Sequence, residues 1–159
     1  MRFVALALTC LLVSACWQVK DPVVARGTRV DGLADGLYRR PDGSEIMIRW
    51  NPGEGRYDVG MNGGGARAAP LGGGLFLVDY ADAVRLVLVA GIEDGAIVIH
   101  TPTREAEARL AKAHGLALKH GPVLVLAGKP EAVRALAADA ASLAGTPELV
   151  AAERLVRVR

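Results

Sequence analysis

The chain contains three histidines, His100, His114 and His120, the side chains best suited to hold a metal or to act as a base near neutral pH. Their gaps of fourteen and six residues match no metal signature, and no HExxH pattern is present. His114 and His120 read as turn or helix-end residues, where imidazole can cap carbonyls. Among the carboxylates, Asp79 and Asp82 flank Tyr80, while Glu93 and Asp94 fall in a turn pattern. Glycoside hydrolysis needs two carboxyls facing across a pocket, about 5 to 9 Å apart, and nothing in the spacing sets up such a pair. Asp82 is expected to shape a turn, and Glu93 and Asp94 to face solvent. The serines are Ser14, Ser44 and Ser142, none of them in a G-x-S-x-G elbow. The runs Gly63-Gly64-Gly65 and Gly72-Gly73-Gly74 lack the Gly-Lys-Ser or Gly-Lys-Thr ending of a phosphate loop, and Gly128-Lys129 is followed by Pro130, which has no N–H to offer a phosphate. No catalytic residue, metal ligand or cofactor is assigned.

Binding is the chemistry that remains. Tyr38, Trp50, Tyr57, Phe76 and Tyr80 all fall in one strand-rich region, where core packing is their main expected role. Some of them could instead line a concave surface, with Arg39-Arg40 and Arg67 at its rim. Tyr38, Arg40, Trp50, Tyr57 and Arg67 are the residues proposed on this basis to contact a ligand or partner. The Gly-rich stretch beside Arg67 could cover or gate a cavity.

Those residues need a sheet to position them. Leu37 to Arg40, Ser44 to Trp50 and Arg56 to Met61 alternate with strand period. Ile46, Ile48 and Trp50 share one face, and Tyr57, Val59 and Met61 form the expected core face of the next strand. Pro41-Asp42-Gly43 and Asn51-Pro52-Gly53-Glu54-Gly55 make the turns between them. Asn62 to Gly74 reads as a mobile surface loop because ordered glycine costs backbone entropy. Leu75 to Tyr80, Ala83 to Gly91 and Ala96 to His100 resume strand character, the last two joined by a hairpin at Glu93-Asp94-Gly95. After His100 the period changes. Thr101 and Pro102 are expected to open a helix running to about His114. Leu116 to Leu118 and Val123 to Ala127 are short strands, and Pro130 starts a second helix that Gly145 stops. Thr146-Pro147-Glu148 could cap a last short helix, or Arg154 to Val158 could form a final strand. The fold class is α+β, an antiparallel meander curled into an open barrel or sheet and packed with C-terminal helices.

The N-terminus has a separate logic. Arg2 is followed by an apolar run from Phe3 to Val13, broken only by Thr9, and then by Ser14 and Ala15. The run is shorter than the roughly 20 residues of a transmembrane helix and has the layout of a signal peptide. Val13-Ser14-Ala15-Cys16 resembles a bacterial lipobox. The resemblance covers only the first sixteen residues. It implies diacylation of the Cys16 thiol, by palmitate-type chains, and cleavage that leaves Cys16 as the N-terminus. Because Trp17 rather than Asp follows the cysteine, it also implies the outer membrane, facing the periplasm. A single acyl chain binds membranes marginally, whereas two hold stably. The expected organisation is a signal peptide over 1–15, a lipidated tether over 16–31 and one α+β domain over 32–159.

Composition limits the remaining choices. Hydrophobic residues at 52% and charged residues at 23% suit a globular core, and a formal charge of +2 gives no electrostatic case for nucleic acid. Cys10 and Cys16 are the only cysteines, so no disulfide is available downstream of Cys16. The expected role is that of a membrane-anchored envelope lipoprotein, non-catalytic, held to lipid through Cys16 and engaging an envelope protein partner. The alternatives are a carrier with a sheet-lined apolar cavity, or a hydrolase.

Overall fold

The computed structural model describes residues 16–61 and 63–158; the signal-peptide reading of 1–15 lies outside them. Among the described residues eleven strands and two helices follow one another in the order β1 (Trp17–Val19), β2 (Gly36–Arg39), β3 (Glu45–Asn51), β4 (Arg56–Val59), β5 (Gly64–Gly72), β6 (Leu75–Ala81), β7 (Arg85–Glu93), β8 (Ala96–Pro102), α1 (Arg104–Ala113), β9 (Ala117–Lys119), β10 (Val125–Ala127), α2 (Pro130–Ser142) and β11 (Leu149–Val158). Strands β2 to β8 form an antiparallel meander. The chain then leaves through the helical excursion and returns as β11 between β8 and β2. That insertion closes an eight-stranded barrel, so the expected open barrel is corrected to a closed one. Closure removes the exposed edges that an open sheet would have to protect.

Strand alternation divides the apolar residues between two cores. One face fills the barrel with Tyr38, Ile48, Tyr57, Ala66, Ala68, Phe76, Ala90, Ile97, Ile99 and Leu155. The opposite face of β6 and β7 carries Leu75, Leu77, Val87 and Val89, which pack beneath Leu110 of α1 and Val133, Leu136, Ala137 and Ala140 of α2. Thr103 caps α1 by accepting from the Ala106 N–H, and Pro130 occupies the first turn of α2. Thr101 and Pro102 belong to β8 instead, so the helix starts one cap later than the sequence suggests. Asp94 and Gly95 both take positive φ, 50° and 75°, the backbone of a two-residue hairpin turn.

Three further expectations change. The loop expected from Asn62 to Gly74 is replaced, at residues 64–72, by a nine-residue barrel strand. Its small residues make room for large neighbours. A Cβ at Gly64 would meet Tyr80 Oη at 2.6 Å, and one at Gly65 would meet Arg56 Nη1 at 2.8 Å. Met61 is 97% exposed, because β4 ends at Val59 and the chain turns before Met61 can reach the core. Of the two alternatives for the last segment, the strand holds and the helix does not: Leu149–Val158 form β11, since β8 and β2 offer it two open edges.

The largest change concerns residues 16–31, which are no tether. Trp17–Val19 pairs antiparallel with the first half of β7 and parallel with β10. Trp17, Val19, Val23 and Val24 are buried in the core between the sheet and helices. The segment then crosses the barrel wall, where the Gly27 N–H donates to Gly55 O at 2.9 Å and the Thr28 N–H to Ala68 O at 2.8 Å. A Cβ at Gly27 would sit 2.8 Å from Ala68 N, so only glycine passes there. The strap thus takes up the edge of β5 that the short β4 leaves unpaired.

Candidate functional site

Two polar centres lie where the strap meets the fold. The first is built on β6. Leu75, Leu77 and Asp79 share the outward face, so strand period places a carboxylate among core residues. Asp79 is 1% exposed. Its Oδ2 accepts from the Val23 and Val24 N–H groups at 2.7 and 2.9 Å, and its Oδ1 accepts from Arg85 Nη1 at 2.5 Å. Arg134 of α2 donates to Val23 O at 3.3 Å on the other side of the strap. Asp79 therefore fastens the strap to the barrel wall.

Beside this latch is a cleft of about 190 Å³ lined by Arg56, Gly65, Arg67, Asp79, Ala81 and Arg85. Register explains the grouping. Arg67 faces Asp79 across β5 and β6, Gly65 faces Ala81, and Ala81 faces Arg85. Arg56 Nε lies 2.6 Å from Glu54 Oε2 and 3.2 Å from Asp58 Oδ1, but out of line for a hydrogen bond. Arg67 Nε is buried and has no hydrogen-bond partner.

The second centre is at the start of β1. The Cys16 side chain is buried, and its thiol pKa is pushed up to about 12, chiefly by desolvation and then by the Glu153 carboxylate, against a smaller opposing pull from Arg40. Arg40 Nε donates to Glu153 Oε1 at 3.1 Å, with both side chains only 9% exposed. A thiol held protonated in this way is a poor nucleophile. One residue on, Trp17 Nε1 donates to Glu107 Oε1 at 2.6 Å.

Burial raises the Glu107 pKa above the usual carboxylate range, while the Trp17 hydrogen bond and the nearby His120 and Arg104 pull it part of the way back. A raised folded-state pKa means that the folded protein holds this proton when the unfolded chain has released it. The group's contribution is therefore fully present below the ordinary carboxylate pKa and is lost as pH rises through the folded value. Glu107→Gln keeps an acceptor for Trp17 and removes the titration. The variant is expected to melt a few degrees above the parent at pH 7.5 and to lose that advantage at pH 4.5, as read by calorimetry at the two pH values. An advantage of equal size at both pH values would contradict the assignment.

The five proposed contact residues do not converge. Tyr38 is fully buried inside the barrel and its hydroxyl donates to Ala34 O at 2.7 Å. Tyr57 is also inside, its hydroxyl accepting from the Val30 N–H at 2.7 Å, with Trp50 packed against its ring at 4.9 Å. Arg40 belongs to the Cys16 centre. Only Arg67 lines the cleft. The histidines occupy three separate places: His114 Nε2 lies 2.7 Å from Asp139 Oδ2 where α1 ends beside α2, His100 Nε2 lies 3.9 Å from Glu93 Oε1, and His120 is exposed. Among the described residues no group of three His, Cys, Asp or Glu side chains could hold a metal, and no helix there is long and apolar enough to cross a membrane.

Sequence reasoning named Asp79 without its role, and missed Arg56 and Arg85. The signal for Asp79 was present: Leu75, Leu77 and Asp79 recur with period two in an apolar strand, which marks a buried carboxylate. Comparison with protein families, with curated proteins and with solved structures finds no match.

Proposed function

We infer that the chain is an envelope lipoprotein whose domain serves a non-catalytic binding or structural role. Two features of the chain support this. The Val13-Ser14-Ala15-Cys16 sequence supplies the anchor. The filled barrel turns the role outward: Tyr38, Tyr57, Phe76 and Ala90 occupy the volume in which a carrier would hold an apolar ligand. That filled interior is the observation on which the choice of a binding module over a carrier rests. A groove of about 400 Å³ at the barrel end, lined by Asp94 to Ala96 and Val156 to Val158, is open to solvent and does not replace the missing enclosure.

The burial of Cys16 constrains when the anchor can be attached. A protonated thiol inside the fold is a poor acceptor for lipid, so on this reading acylation precedes closure of the domain over β1, and the Cys16 side chain has to leave its buried position to carry the lipid. The test is mass spectrometry of the protein isolated from its own cells, with metabolic palmitate labelling. The expected product begins at Cys16, carries a diacylglycerol-sized mass there and incorporates label, whereas Cys16→Ser incorporates none. A wild-type protein that keeps its leader, or that carries no lipid, would end the anchor reading.

A further inference from the structure

We propose that the cleft between β4, β5, β6 and β7 is a seat for a carboxylate, with Arg67 as its principal ligand. The reading concerns the domain's outer wall and does not depend on acylation of Cys16. Three guanidinium groups line the cleft, and two of them already have partners. Arg85 is paired to Asp79 Oδ1, and Arg56 lies against Glu54 and Asp58. Asp79 stands directly across the ladder from Arg67 and would be its natural partner, but both Asp79 oxygens are engaged, one by Arg85 and the other by two strap N–H groups. The latch therefore strands Arg67. Its Nε is buried without an acceptor, and an unmet buried donor on a charged group is costly enough to call for a partner.

The same arrangement selects the kind of anion. Arg67 is the one guanidinium of the three with no carboxylate partner, yet Asp79 and the rim carboxylates of Glu54 and Asp58 already balance the three positive charges, Asp58 also accepting from Asn51 Nδ2 at 3.2 Å. A singly charged planar group matches the guanidinium fork of Arg67. A phosphate dianion would bring a second negative charge toward two that are already present. The volume of about 190 Å³ admits a carboxylate with a short stem and not a large ligand. Such a group can come from a free small acid or from an acidic side chain of a protein segment, and the charge on the barrel wall fits either.

The experiment titrates the folded chain, labelled with ¹⁵N at arginine, at constant ionic strength, and follows the Arg67 Nε–H resonance. The probes are acetate and the blocked peptide acetyl-Gly-Glu-Gly-amide, with acetamide, acetyl-Gly-Gln-Gly-amide and inorganic phosphate as controls. Saturable shifts are expected with the two carboxylates and not with the neutral amides, and phosphate is expected to bind more weakly than acetate. Tighter binding of the peptide than of acetate would identify the source as a protein segment, and the reverse order a free acid. Arg67→Met should weaken carboxylate binding by about tenfold or more while melting at or above the parent temperature, because it removes a half-buried guanidinium whose Nε has no acceptor. Arg67→Lys keeps the charge without the fork and should fall between the two. No saturable shift, a preference for phosphate, or Arg67→Met that binds unchanged would each overturn the proposal. So would Arg67→Met that unfolds while the parent's Arg67 resonance stays unmoved by acetate.

Discussion

Replacing Asp79 with alanine is expected to destabilise the domain by about 3–5 kcal/mol, as for other buried ion pairs broken from one side. For a domain of this size that is a fall in Tm of roughly 10 °C or more. Alanine leaves Arg85 without its carboxylate and leaves the Val23 and Val24 N–H groups buried with no acceptor. It also frees the strap between Val19 and Gly27, so the loss extends to the packing of Val23 and Val24 against the helices. Asp79→Asn should lose less, since one oxygen can still accept both backbone groups, but its amide then faces Arg85 donor to donor. Arg85→Ala should lose less than Asp79→Ala, because the carboxylate keeps its two N–H bonds and the Arg85 side chain is 20% exposed. Chemical denaturation of the three variants gives the order. An Asp79→Ala protein within about 1 kcal/mol of the parent, the size of a surface pair, would show that the carboxylate is not the latch.

Period carried much of the fold. Ile46, Ile48 and Trp50, then Tyr57 and Val59, sit on the inner face as their spacing requires, and Pro130 opens a helix at the residue where its fixed φ favours one. The failures have a shared cause. Gly64, Gly65, Ala66 and Ala68 carry almost no hydrophobic signal, yet they form barrel wall because Tyr80, Arg56 and the strap need space that larger side chains would fill. Composition reports what a strand buries with its own side chains and says nothing about what crosses over it. β11 is a related case. Its burial is sparse, with only Leu149 and Leu155 inside, and its conformation follows from the two edges waiting for it. The cleft was half legible. Arg67 was singled out, but Asp79, Arg56 and Arg85 come from three other strands, and their meeting depends on register, which one sequence does not display.

A chain that starts at Gly32 is expected to lose cooperative folding altogether, while one that starts at Trp17 keeps it. Trp17, Val19, Val23 and Val24 are almost wholly buried, and each such side chain contributes about 1.5–3 kcal/mol. Together they approach the whole net stability of a domain, about 5–15 kcal/mol. Residual compaction of the unfolded chain lowers such figures by roughly 10–40%, which still leaves a loss larger than most domains survive. Removing the strap also opens one edge of β7 and one of β5, and leaves Asp79 and Glu107 as buried carboxylates without Val23, Val24 and Trp17 to donate to them. Circular dichroism melts of the two chains decide the matter: a sharp transition is expected for 17–159 and a broad or absent one for 32–159. A cooperative melt of the shorter chain within a few degrees of the longer one would show that the strap is an appendage. The outcome bears on the anchor as well. If the strap is integral, the lipid proposed on Cys16 would sit next to a core strand, with no slack between them. The domain would then lie against the membrane in a fixed orientation, and tension on the lipid would pass straight into the pairing of β1 with β7.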